Sequence, residues 1–527
     1  MPDKSSPLNR RDFLVAALLA GLALGLGAWQ MTVGVGGTYH DDGVYLATAK
    51  ALAQGDGYRL INLPQAPVQT KYPFLYPAIL ALIWKIWPFF PQNLLAMQML
   101  SLVSGAMAVA GAFLFLVRFG YCGRLAAAAS CLLFATSAHF LFFSTQALTE
   151  LPFLCLLLLG FWPLESHLER PWVKPGCQIL LGVLLALPFL CRTVGAAVIP
   201  AAWLVLWWRG RPLGWVALGS ALGALPWVLW VLIHLYGTQT DTSTMYYTDY
   251  LGWWSSFGLG SILRVLLWNF FMITSSITNL GLPGLEEWLR QGNFWLKIAV
   301  RLLPGLMALI MIRSHLSRTR FLPWFLAGYT LVVAFWPWPP PRFILPLLPF
   351  FLVYFFKGQR LLLPRAAKGA GLRFFASILL AVFIGSNFWL LAQHADVNSS
   401  TGYPANGIFN RNAPWTGYER VFAWIKDHSR SDDVMAAGLD SMIYLYTGRK
   451  AIRPFSARPT ALFYGDDGPE LGTVTEMERL LSAYKVRYLI QTPMPGFSEE
   501  KPLAALLEQA QKLRPDWLEP AYKDSDP

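Results

Sequence analysis

The sequence predicts an α-helical polytopic membrane protein of about eleven spans with a C-terminal extracytoplasmic α/β domain, and three observations carry that expectation. Of 527 residues, 55% are hydrophobic and only 14% charged, against about a quarter charged in an ordinary soluble chain. The apolar residues fall in runs of the length that spans a bilayer. The charge balance also changes sign along the chain: residues 1–395 hold 27 Lys and Arg against 12 Asp and Glu, and residues 396–527 hold 15 against 18. The net charge of +12 therefore belongs to the membrane half, which argues against a nucleic-acid partner. Residues 1–395 are read as the multi-span domain and 396–527 as the soluble one.

Taken in order, the first span is expected near 13–33. The run Asn9-Arg10-Arg11-Asp12-Phe13-Leu14 looks like a twin-arginine export signal, but many more spans follow and no convincing small-residue cleavage site does. A signal-anchor helix with Arg10 and Arg11 in the cytoplasm is the better reading. Short cytoplasmic loops are enriched in Lys and Arg, and such loops fall at 118–124, 170–174, 209–211, 313–320 and 357–373. Alternation between them places further spans at 94–117, 125–143, 149–164, 177–192, 194–208, 213–236, 295–312, 321–336, 343–356 and 374–392. The loop 34–74, the second large loop 237–293 and the tail all land outside.

Ile79–Phe90 is apolar but short, and counting it as a crossing would invert every later loop, so it is expected in the interface. Residues 261–282 carry Arg264, Asn269, Thr274, Ser275, Ser276 and Asn279, which suggests an interfacial or re-entrant segment. Pro188 and Pro200 interrupt the short pair at 177–208. The five cysteines lie in or beside spans with no CxxC spacing, so neither a disulfide framework nor a structural metal is expected. Beyond Tyr403, helical spacing at Tyr418–Arg430, Glu476–Tyr484 and Leu503–Leu513 and strand-like runs at Val434–Ala437 and Val486–Gln491 predict the small α/β domain.

The candidate site begins with Thr38-Tyr39-His40-Asp41-Asp42-Gly43-Val44-Tyr45, two adjacent acids just past a long apolar segment. An Asp at the mouth of a membrane cavity can take the proton of an acceptor hydroxyl. It can equally cap a helix beginning near Gly43. On the basic side, Arg192 falls at an outer span end, Lys297 and Arg301 lie four apart on one face, and Arg342 sits at an outer turn. Each alone could reach toward headgroups; with Lys71 they form an outward-facing set suited to a phosphate. Glu150 stands at a span boundary, as a helix-start carboxylate or a site residue. No acid falls in the middle of a span, which argues against a proton-coupled transporter.

The order of an acid pair after the first span, Lys71-Tyr72-Pro73-Phe74-Leu75-Tyr76, Thr149-Glu150-Leu151-Pro152-Phe153, and Arg342-Phe343 followed by Pro346 and Pro349 resembles the GT-C membrane glycosyltransferases. The nearest branch is that of protein O-mannosyltransferases and the lipid A aminoarabinose transferase. The resemblance implies a sugar transferred with inversion from a polyprenyl-phosphate donor to a lipid, glycan or protein hydroxyl at the outer face of a bacterial inner membrane. It implies Asp41 or Asp42 as the base, Glu150 as the second acid, and Lys71, Arg192, Arg301 and Arg342 around the donor phosphate. His40, Tyr45, Tyr72 and Tyr76 are expected to line the cavity. Two departures leave the base open between the acids: the family's usual Asp-Glu is Asp41-Asp42 here, and its paired prolines are Tyr72-Pro73. No cofactor is certain from the resemblance; a divalent metal is compatible with it but not indicated by the residues. The rival readings are a lipid-linked sugar flippase, a polysaccharide polymerase, or a non-enzymatic envelope assembly protein.

Overall fold

The computed structural model describes residues 7–235, 247–248, 258–285, 293–317, 320–362, 370–402, 415–455, 463–464, 473–492 and 500–523. Residues 237–246, 249–257 and 286–292 of the expected second outer loop, and residues 403–414 of the expected tail, lie outside these residues.

The first long helix, Arg10–Gln30, starts where Asn9 and Asp12 cap each other: the Asn9 side chain accepts from the Asp12 N–H at 3.1 Å and Asp12 Oδ2 from the Asn9 N–H at 2.9 Å. Such reciprocal capping satisfies two of the free N–H groups of a helix start. Arg124, at the start of the Arg124–Ala135 helix, pairs with the same Asp12 at 2.7 Å, so the two helices begin at one level. Among the described residues seven helices are long and apolar enough to cross a bilayer, or eight if the Arg124–Ala135 and Ala138–Ser144 helices, bent by 65°, count as one broken span. Four shorter apolar helices accompany them. The protein is an integral membrane protein.

Two spans differ from the sequence reading. The segment expected to be interfacial or re-entrant at 261–282 is one unbroken helix, Leu259–Gly281, long enough to cross. Its polar residues find partners inside the bundle. Asn269 donates to the carbonyls of Val333, Ala334 and Trp336 at 3.2, 3.1 and 2.7 Å, Thr278 donates to Val300 O at 2.9 Å, and Thr274, Ser275 and Ser276 bond back to their own helix. A span may carry polar groups when protein rather than lipid meets them. The second difference is the pair expected at 177–192 and 194–208, which forms Pro175–Cys191, a 3₁₀ turn at Thr193–Ala197, and Val198–Trp208. Pro188 does not break the first of these, and Arg192 stands at the junction. The Pro175–Cys191 helix packs closely on Gly214–His234 through Gly182 and Gly219, each lying against the backbone of the other helix at Val216 and Ile179; a side chain at either would force them apart.

After the first span the Asp41–Gln54 helix packs against the 12-residue Leu75–Ile86 helix, which is too short to cross. The C-terminal region holds a parallel three-stranded sheet in the order β2-β1-β3, with β1 at Val434–Ala437, β2 at Ala451–Ile452 and β3 at Val486–Ile490. Helices Trp415–His428, Asp440–Thr447, Val474–Ala483 and Glu500–Leu513 accompany it. The strand at 451–452 was not legible in the sequence; it is only two residues long. This region is docked on the first outer loop: Tyr446 OH donates to Gly34 O at 2.7 Å, Lys450 Nζ to Pro64 O at 3.0 Å, and the Ala451 N–H to Asn62 O at 2.9 Å. Gly37, at φ +79°, lies against the backbone of Met442, where the conformation and the close approach both call for glycine.

The docking requires the first loop and the C-terminal region to share one face, and the sequence expectation from the basic loops is that this face is the outside. Single cysteines at exposed Asp56 and exposed Ser400, in a background lacking the five native cysteines, are expected to react with a membrane-impermeant maleimide added from outside. One at exposed Ser317 is expected to stay unlabelled. Labelling of Ser317 with protection of Asp56 would invert the whole assignment.

Candidate functional site

The Trp338-Pro339-Pro340-Pro341-Arg342 stretch brings a late span back onto the first outer loop. Its proline run fixes the backbone and presents two side chains to that loop. At one end Trp338 lies beneath Lys71, whose Nζ is 4.6 Å from the ring centroid. At the other end Arg342 reaches Asp41 and Glu150 together: Nη1 is 2.6 Å from Asp41 Oδ2, Nε is 2.9 Å and Nη2 2.7 Å from Glu150 Oε1. Arg192, from the 3₁₀ junction, closes the group with Nη1 2.7 Å from the same Glu150 oxygen and 2.9 Å from Thr149 Oγ1. The guanidiniums also stack on rings: Arg342 lies 4.5 Å from Tyr39 and Arg192 5.0 Å from Phe343.

The charges of this group balance, two carboxylates against two guanidiniums. Glu150 is wholly buried and Arg192 nearly so. Buried ions survive only when paired and hydrogen-bonded. The pairing revises one expectation: the two arginines do not wait as free phosphate ligands but are already engaged with Glu150. Glu150 Oε2 has no hydrogen-bond partner among the described residues. Lys71, 2% exposed, is the cation beside this neutral group, held by its backbone N–H donating to Gln69 Oε1 at 2.7 Å.

The adjacent acids have different surroundings. Asp42 Oδ1 accepts from the N–H groups of Tyr39 and Gly43 at 3.0 and 2.9 Å, and Oδ2 from Gly37 at 2.7 Å. Burial pushes its carboxyl up to about 6 against the pull of those three N–H groups. Asp42 lies buried inside the first turn of the Asp41–Gln54 helix, whose start carries no side-chain cap, and it holds the Gly37–Gly43 turn rather than capping the helix. Asp41 Oδ1 instead accepts from Tyr72 OH at 2.7 Å while Oδ2 meets Arg342. Burial raises the Asp41 carboxyl, but the Arg342 guanidinium outweighs it and holds the group well below the ordinary carboxylate range.

His40 precedes the pair in a strained conformation, φ +66° and ψ −61°, closed by the Asp41 N–H donating to Tyr39 O at 2.8 Å. This is the rare positive-φ γ-turn, a strain on the order of 1–3 kcal/mol. His40 Nδ1 lies 3.7 Å from Asp41 Oδ1, and Nε2 lies 3.0 Å from Tyr247 OH. Tyr247 in turn donates to Asp440 Oδ1, and Asp440 Oδ2 accepts from Asn62 Nδ2 at 2.7 Å. Tyr45 packs edge-on against Tyr72 and Tyr76, each 5.4 Å away, and Tyr76 is fully buried with its hydroxyl toward Ser101. Arg301, expected at the phosphate, sits on the Phe294–Ser314 helix, where its carbonyl accepts from Thr278 at 3.2 Å. Tyr39, Thr149, Tyr247 and Asp440 were not singled out in the sequence. Aromatic and hydroxyl residues carry no charge signal, and Asp440 is one of many acids in a region that reads as soluble.

Among the described residues no three His, Cys, Asp or Glu side chains converge as metal ligands. Asp41 and Glu150 face guanidiniums and Asp42 faces backbone N–H groups, a donor set that does not fit a cation.

No family model and no curated protein match the chain. Solved structures do. The oligosaccharyltransferase of Archaeoglobus fulgidus, in complex with zinc and sulfate, aligns with 90% of this chain and 67% of its own at a TM-score of 0.55 and 12% identity. ArnT from Cupriavidus metallidurans bound to undecaprenyl phosphate aligns over 83% of this chain and 84% of its own, with a TM-score of 0.46 and 12% identity. The arabinofuranosyltransferase AftD from Mycobacteria aligns over 82% of this chain and 30% of its own, with a TM-score of 0.39 and 17% identity. The GT-C fold expected from the motif order is the fold of this chain, as the archaeal structure shows.

The Glu150 pairing has a stability consequence. Glu150→Gln leaves buried Arg192 without its carboxylate and Arg342 with Asp41 alone, and is expected to cost about 3–5 kcal/mol, read as a lowered thermal midpoint in detergent. Glu150→Gln combined with Arg192→Gln should cost less than the sum of the two single changes. Strict additivity would mean that the pair is not coupled.

Proposed function

We propose that the chain is a membrane glycosyltransferase that moves a sugar from a polyprenyl-phosphate donor to an acceptor hydroxyl at the outer face of the bacterial inner membrane, with inversion. The observation that carries this reading is the Arg342 bridge, which holds Asp41 and Glu150 in one corner with Lys71 at the other end of the same proline-rich turn. A base, a second acid and a cation for the leaving group thus stand together at the edge of the bundle, where a lipid-borne donor can lie. The GT-C fold and the motif order of the sequence support the same reading.

In this mechanism the donor phosphate meets Lys71 and the outward N–H groups of Arg342. The acceptor oxygen attacks the anomeric carbon, the bond from that carbon to the phosphate oxygen breaks, and its electron pair leaves on the polyprenyl phosphate. The acceptor proton passes to Asp41. Each carboxylate oxygen has two acceptor sites, so Asp41 can receive an incoming hydroxyl while keeping its partners. Arg342 makes Asp41 a weak base at rest. As negative charge grows on the leaving phosphate, Arg342 is drawn toward it and its hold on Asp41 relaxes, so the base strengthens as the bond breaks. Glu150, wholly buried, acts through Arg342, whose guanidinium it holds beside Asp41. Asp42 keeps the turn in shape.

Asp41→Asn is expected to lower transfer by roughly two to four orders of magnitude with folding and donor affinity intact, measured as release of undecaprenyl phosphate from a panel of synthetic undecaprenyl-phosphate pentoses and hexoses. Wild-type rates in this variant would sink the assignment of the base. Lys71→Ala should weaken binding of undecaprenyl phosphate by about 2–5 kcal/mol if the contact is desolvated. Transfer from a nucleotide sugar without lipid would refute the donor class.

A further inference from the structure

Resting on that reading, we propose that His40, Tyr247 and Asp440 form a positioning line through which the C-terminal region completes the catalytic centre, fixing His40 in the tautomer that receives the acceptor's proton from Asp41. The argument starts at Tyr247, whose hydroxyl has one proton. That proton is donated to Asp440 Oδ1, so the Tyr247 oxygen accepts from His40 Nε2, 3.0 Å away. Neutral His40 then carries its hydrogen on Nε2 and its lone pair on Nδ1. Nδ1 is the atom that faces Asp41, at 3.7 Å from Oδ1.

In the resting state both atoms of that facing pair are acceptors, and their separation is too long for a hydrogen bond. Once Asp41 has taken the acceptor's proton they become donor and acceptor. The proton moves from Asp41 Oδ1 to His40 Nδ1, leaving an imidazolium beside the ionised Asp41, and once the product has gone it passes to water over the partly exposed edge of Asp41. No electrons change hands. Asp41 returns to its ionised form beside Arg342, ready for the next acceptor.

Three independent observations support the line. His40 and Tyr247 are both buried and their rings stack at 5.2 Å. The γ-turn at His40 holds it in a conformation that few residues adopt, and such strain gathers where function needs a fixed geometry. Asp440 is itself fixed, by Asn62 at 2.7 Å and by Arg453 with Nε at 3.8 Å, and the Arg453 guanidinium lies 5.4 Å from the Tyr247 ring. The charged and titratable groups that set the proton affinity of His40 are therefore Asp41 and Asp42 on its own element, Tyr72 beside Asp41, Arg342 from the late span, and Tyr247, Asp440 and Arg453.

The sign follows from these charges. Asp41 and Asp440 favour the imidazolium, and turnover requires neutral His40, so kcat rises with pH through the His40 titration. Asp440→Asn removes one negative charge and should move that acid limb to lower pH by about 0.5–1 unit, with kcat lower by about 10-fold and the KM for the donor within two-fold. His40→Asn, a residue that tolerates positive φ, should abolish the acid limb and lower kcat by about 10–100-fold. Lys450→Ala, which loosens the same docking surface at Pro64, should leave both unchanged.

The activity-free readout is ¹⁵N NMR of histidine-labelled protein in detergent. The seven histidines are resolved by the signal lost in His40→Asn, and His40 is expected as the Nε2–H tautomer with a titration that falls in Asp440→Asn. An Nδ1–H tautomer overturns the proposal even if Asp440→Asn does not fold. If Asp41→Asn is inactive while His40→Asn keeps wild-type turnover and its acid limb, the line is wrong and the function stands. If Asp41→Asn keeps wild-type transfer, the assignment of the base fails and the line that serves it fails too; if the wild type releases no undecaprenyl phosphate from any of the synthetic donors, the function itself fails.

Discussion

Everything at the outer corner of this bundle depends on one buried carboxylate shared by two guanidiniums. Glu150 alone would be too costly to ionise at that depth, and either arginine alone would be as costly to keep. Together they are affordable, and Arg342 extends the group to Asp41. The result is a neutral, hydrogen-bonded joint between four parts of the chain: the first loop, the Glu150–Glu169 span, the junction at Arg192 and the proline-rich turn before the last part of the bundle. It sets where the loop sits, and so where Asp41 points.

The same joint separates the work of two acids that are neighbours in sequence. Asp42 turns inward to three backbone N–H groups and keeps the loop folded; Asp41 turns to side chains and keeps a partly exposed edge. A single peptide step between them is enough because the helix begins there, so successive side chains leave the axis about 100° apart. His40 supplies the reversal of direction that brings the loop into that helix, at the expense of its own backbone comfort.

The membrane class, the positions of most spans and the acid-then-lysine order were legible in the sequence because hydropathy and fixed spacing are local signals. Glu150 and Arg342 were legible too, as ionisable groups at span ends. Their mutual pairing was not, since a phosphate site and a salt bridge ask for the same residues at the same level. Leu259–Gly281 was misjudged because its polar residues were counted without their partners on neighbouring helices. Tyr247 and Asp440 became visible only when residues about 200 and 400 positions from the acid pair were seen beside it.

That last separation bears on when the protein becomes competent. The contacts that seat the C-terminal region on the first loop join residues 412 and 378 positions apart, among the last encounters a growing chain can make. Loop closure over such distances must await the intervening spans. The first loop emerges early and carries its acids throughout insertion, but the turn around His40 lacks its outer support until the final segment has been translocated and folded. Synthesis and maturation of the site are thereby ordered in time, and a chain interrupted before residue 440 would carry the acid pair without the partner that steadies it.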